Sequence, residues 1–111
     1  MTATVDFSAA NNGPWKLRFN LTREGQPWDV EDYEARMQMR ASAAADVAAA
    51  EFSTAVGTLR VDGTALVLDA PRGITLGIPA GAYVYDVLMT RGDETIRAIE
   101  GTITVKQGVT R

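Results

Sequence analysis

Four carboxylates stand within six residues of one another: Asp29, Glu31, Asp32 and Glu34. Hard cations take several oxygen ligands at close spacing, so this is where a calcium loop would lie. The order of the acids matches no calcium-loop signature, and Glu34 falls on the polar side of an alternating run. An ordinary solvated loop is the expectation. Paired carboxylates also run glycoside hydrolysis when held at a fixed separation, but nothing in this spacing selects a pair. The chain has no histidine and no cysteine. That removes imidazole acid–base catalysis, thiolate chemistry, disulfides and zinc sites of the usual ligand types, and it leaves Ser and Thr without a triad partner. The expectation is a protein that is not an enzyme, with no cofactor and no metal.

The remaining chemistry-bearing side chains suit contact. Trp28 sits in the same loop as the acids, and two readings are open for it: packing over the end of the fold, or contact with a protein partner or glycan together with Asp29, Glu31 and Asp32. Trp15 is in phase with Leu17, Phe19 and Leu21, which reads as core. Arg91-Gly92-Asp93 spells a tripeptide read by adhesion receptors, and it also makes an ordinary hairpin turn. Met37, Met39 and Met89 read as fillers of irregular core gaps.

These residues must be positioned by strands. Trp15 to Leu21 alternates strictly with Lys16, Arg18 and Asn20, and Tyr33, Ala35, Met37 and Met39 alternate with Glu34, Arg36, Gln38 and Arg40. Val5 to Ser8 reads as a first edge strand. Asp62-Gly63-Thr64 joins arms at 58–61 and 65–69 in a compact hairpin. Ile74, Leu76 and Ile78 alternate towards a corner at Pro79 and Gly81, and Tyr83, Tyr85, Val87 and Met89 then share one face of a long strand. A tyrosine after such a corner is a β-sandwich pattern, its hydroxyl bonding back to nearby backbone, so Pro79, Gly81 and Tyr83 are expected to be structural. Asp86, between Val84 and Leu88 on the opposite face, has no such plain account. The apolar phase shifts between Ile96/Ala98 and Ile99/Ile103, which predicts a bulge or break near 98–101. The alanine-rich stretch 41–50 is read as a loop over 41–46 followed by a strand over 47–54, with a short helix as the alternative.

At 111 residues and 46% hydrophobic content this is one domain spanning 1–111, sized for a two-layer core. The expected fold is all-β: an antiparallel immunoglobulin-like β-sandwich of about seven to nine short strands with at most one short helix. A net charge of −3 offers no basic stripe for nucleic acid. No apolar run approaches the ~20 residues that span a bilayer, and the first residues lack signal-peptide character, so neither nucleic acid nor membrane is an expected partner and synthesis is expected in the cytoplasm.

Several segments, in this order, carry a family likeness: Trp15-Lys16-Leu17-Arg18-Phe19-Asn20-Leu21; Gly25-Gln26-Pro27-Trp28-Asp29-Val30; Tyr33 to Arg40; Ile78-Pro79-Ala80-Gly81-Ala82-Tyr83-Val84-Tyr85-Asp86-Val87; and Glu100 to Val105 with Val109-Thr110-Arg111. Over residues 14 to 111 the chain resembles small β-sandwich virion proteins of tailed bacteriophages and prophages. It is similar to the immunoglobulin-like N-terminal domain of phage upper baseplate proteins. The resemblance implies a virion component at the tail tip, baseplate or fibre attachment. Such a component works by protein–protein contact with other virion proteins and with copies of itself in a symmetric assembly, and it carries no catalytic residues. The alternatives are a capsid decoration protein and a carbohydrate-binding module for host-surface adhesion.

Overall fold

The computed structural model describes residues 3–42, 44–45 and 48–108. Strands β1 (Ala3–Thr4), β2 (Phe7–Ala10), β6 (Glu34–Arg40), β7 (Ala50–Ser53), β10 (Gly81–Arg91) and β11 (Glu94–Lys106) form a six-stranded sheet in the order β1-β11-β10-β6-β7, with β2 also on β11. Strands β3 (Trp15–Asn20), β8 (Leu59–Asp62) and β9 (Ala65–Ala70) form a second sheet in the order β3-β9-β8, and β4 (Thr22–Arg23) and β5 (Gln26–Pro27) make a small hairpin. The protein is a β-sandwich with immunoglobulin-like strand placement.

Period-two alternation explains why the layers close. Ala35, Met37 and Met39 on β6, and Tyr83, Tyr85, Val87 and Met89 on β10, are buried on one face. The intervening Arg36, Gln38, Asp86 and Leu88 stand on the other. Trp15, Phe19, Leu66 and Leu68 of the second sheet meet them, and Trp15 lies 6.1 Å from Phe52 of β7 between ring centroids. The register of β10 against β11 passes from Val87↔Ile99 to Leu88↔Arg97 and leaves Ala98 extra. Ala98 and Ile99 are both buried as a result. The phase shift read from the sequence is this bulge.

Four features differ from the expected layout. The N-terminal strand is two pieces, β1 and β2, both parallel to β11, so the large sheet is mixed. They are separated at Val5-Asp6, where the chain crosses Gly101: a Cβ there would stand 2.1 Å from the Val5 carbonyl oxygen. Among the described residues eleven strand segments replace seven to nine, because this break and the two-residue β4 and β5 add short pieces. The run 74–78 is not a strand. Pro71 is followed by a single helical turn, α1 (Arg72–Thr75), since the chain must pass between the two sheets there. Thr75, not Ile74 or Leu76, turns inwards and donates to the Gly13 carbonyl at 2.7 Å. The expected 47–54 strand is shortened to Ala50–Ser53. Residues 43, 46 and 47 of that stretch lie outside the described residues.

Candidate functional site

Three connections meet at one end of the sandwich: residues 21–33, the β8–β9 turn and the β10–β11 turn. Glu24 and Gly25 take φ of 55° and 78°, the two positive values that a tight hairpin between β4 and β5 demands. The long connection then returns to the body through backbone bonds. Trp28 N–H donates to the Leu21 carbonyl at 3.0 Å, and Val30 N–H donates to that of Gly63 at 2.9 Å. Val30, fully buried, plugs this end of the core.

Around that plug the side chains stack in series. Arg23 lies over the Trp28 ring at 5.5 Å, Trp28 meets Tyr33 edge to face at 5.2 Å, and Arg91 lies over Tyr33 at 4.7 Å. Glu94 closes the series, accepting the Tyr33 hydroxyl and pairing with Arg91 at 3.7 Å. Each cation over a ring contributes about 0.5–1 kcal/mol at an exposed site. The members of the stack therefore brace one another.

Of the residues singled out from the sequence, Trp28, Asp29, Glu31 and Asp32 are brought to this end, but the acids do not converge on a common point. Asp29 accepts the Glu31 N–H at 3.0 Å, and Glu31 accepts the Gly63 N–H at 2.6 Å. Both act as loop braces. Among the described residues no group of three or more carboxylates is placed to hold a metal ion. The Arg91-Gly92-Asp93 triplet forms the β10–β11 turn, with Arg91 directed onto Tyr33. Arg23, Tyr33 and Glu94 were not picked out from the sequence. Tyr33 reads there only as a strand residue, and its meeting with Glu94 joins positions 61 apart.

Pro79, Gly81 and Tyr83 lie at the opposite end. The Tyr83 hydroxyl donates to the Pro79 carbonyl at 2.6 Å, closing the corner that opens β10. Tyr85 donates to Val5 at 2.6 Å, and burial, reinforced by the Asp6 charge, pushes its hydroxyl above the usual tyrosine range. Asp86 faces outwards and pairs with Arg97 at 3.3 Å. It lines a shallow groove of about 530 Å³ on the outer face of the large sheet, with Asp6, Gln38, Arg40, Arg97 and Glu100. Gln38 is engaged there by Glu51 and by Arg40, each at 2.9 Å. On the small sheet, the Arg18 hydrogen bond and charge, at 2.9 Å, hold the Asp62 carboxyl below its ordinary range.

No family model matches the chain, and no curated protein matches it in sequence. Among solved structures the chain is similar to CopC from Methylosinus trichosporium OB3b, with 20% identity over 99% of this chain and 88% of that one and a TM-score of 0.49. It is also similar to part of the endo-beta-1,4-mannanase from Thermotoga petrophila, with 12% identity over 92% of this chain and a TM-score of 0.52. The chain spans 18% of the mannanase's length. That likeness is one of fold alone.

Proposed function

We propose that this protein is a non-enzymatic structural component of a tailed-phage virion, an adaptor at the tail tip, baseplate or fibre attachment that works through protein–protein contact. The observation that carries the reading is the pre-stacked loop end. Arg, Trp and Tyr dominate contact surfaces because they offer large area with few rotatable bonds, and here they are braced before binding. The family likeness of the strands supports the virion context. The outer edges of β3 and β8, which pair with no further strand among the described residues, offer a second means of joining neighbours, by strand addition. Stacking of a sugar on Trp28 is the weaker reading, because Arg23 covers one face of that ring.

Purified particles of the phage or induced prophage that encodes the chain are expected to contain it. Mass spectrometry of the particles and a cryo-EM map with matching sandwich density check this. Particles that lack the chain in both measurements overturn the reading. A glycan array that captures wild type but not Trp28→Ala would replace it with sugar binding.

A further inference from the structure

The two ends of the sandwich carry opposite charge. Segments 22–33 and 91–94, at the loop end, hold six carboxylates and two arginines. Among the described residues, segments 10–14, 40–42, 71–80 and 106–108, at the other, hold the cations Arg40, Arg72 and Lys106 and no carboxylate; Asp46, in the connection that follows Arg40, lies outside the described residues. The longest dimension of the molecule is 41 Å, several Debye lengths at physiological salt, so the ends act as separate poles.

The cationic pole also carries apolar surface. Ile74 and Leu76 are 41% and 48% exposed, and with Val56 they are the large hydrophobic side chains left exposed among the described residues. They are rigidly presented. Thr75 between them is fully buried, Arg72 donates to the Asn12 carbonyl at 2.9 Å, and Asn11 donates to the Ile78 carbonyl at 2.9 Å while accepting the Gly108 N–H at 3.1 Å. A surface already ordered loses little entropy on association.

We infer that copies of this chain associate head to tail, the acidic loop end of one copy seating on the Ile74/Leu76 face and its flanking cations in the next. The inference rests on the loop end being a contact surface and names a second copy as its partner. A contact between two different patches does not close on itself as a two-fold dimer; it propagates into rings or stacks. The patches here differ in sign, so two like ends repel and the heterologous pairing is selected.

The test is sedimentation equilibrium on the intact chain, with three variants. Ile74→Asp/Leu76→Asp blocks the tail, and Asp32→Lys/Asp93→Lys blocks the head with exposed residues. Lys106→Glu, on an exposed strand end, blocks the tail without touching α1. Wild type is expected to rise above 11.9 kDa with concentration at low salt, and to return to that mass in about 1 M salt, where the Debye length is about 3 Å. Each variant alone is expected to stay monomeric, and an equal mixture of head-blocked and tail-blocked chains to stop at twice the monomer mass. A wild type that is monomeric up to about 1 mM, the weak end of specific association, overturns the inference. So do variants that associate as wild type does, or a mixture that never dimerises. A self-associating chain absent from particles removes the virion reading and leaves this one; a strictly monomeric chain found in particles does the reverse.

Discussion

Tyr83 and Tyr85 stand two residues apart on β10, both buried, and their hydroxyls do different work. Tyr83 bonds to Pro79 four residues back and holds a corner; Tyr85 bonds to Val5, 80 residues away, and ties down the N-terminal strand. Tyr83→Phe removes one part-buried hydrogen bond and is expected to lower unfolding free energy by about 1 kcal/mol in a urea titration. Tyr85 carries a pH signature. Its folded-state value is raised above the ordinary 10.0, so the folded chain holds that proton more tightly than the unfolded chain does. The corresponding stabilisation is complete below the unfolded value and is lost as pH rises beyond it. Melting temperature should fall more steeply above pH about 10 in wild type than in Tyr85→Phe, once both are normalised to pH 8. Equal slopes would show that the hydroxyl has no such role.

At the scale of elements, the crossing of the Val5-Asp6 segment over Gly101 decides how the first strand joins the sheet. Asp6 accepts the Thr102 N–H at 2.9 Å and Val5 N–H donates to Glu100 at 2.9 Å, so the break between β1 and β2 is bonded on both sides. Gly101→Ala places a methyl where the Val5 carbonyl now stands, and displacement of β1 and β2 is expected to cost about 1–3 kcal/mol. Hydrogen exchange should localise the loss to amides facing that edge; protection that falls evenly across the large sheet would contradict the account. The α1 turn illustrates why one alternation misled. Ile74, Leu76 and Ile78 fit a strand in phase, but after Pro71 the chain bends to change sheets, leaving Ile74 and Leu76 exposed while Thr75 and Ile78 are buried, and the Thr75 hydroxyl donates to the Gly13 carbonyl.

At the scale of the whole molecule, one core joins the sheets, and Phe52 of the edge strand β7 reaches Trp15 across it. Phe52→Ala is expected to cost about 3–5 kcal/mol and to melt both sheets together. Tryptophan fluorescence and far-UV circular dichroism should give coincident transitions, whereas separate transitions would mean two cores. The distribution of charge along the long axis is also a whole-molecule property. Loops distant in sequence contribute to each pole, so no single loop carries the charge difference between the ends.

Much of the architecture was legible in the sequence because a half-buried strand writes its two faces into alternate residues. Trp15 to Leu21, Tyr33 to Met39 and Tyr83 to Met89 each announce which side packs, and the phase shift near Ala98 announces the bulge. The absence of histidine and cysteine likewise limits the chemistry before any fold is known. Tertiary structure alone decided which residues of different loops meet. The Arg23–Trp28–Tyr33–Arg91–Glu94 series draws on β4, the connection that follows β5 and the two residues flanking the β10–β11 turn, and no periodicity encodes a contact between them. Sheet assignment also decided the parallel pairing of the first strand, since alternation fixes a strand's face but not its neighbour. Side-chain period is a local property, whereas contact between loops depends on how the two layers close.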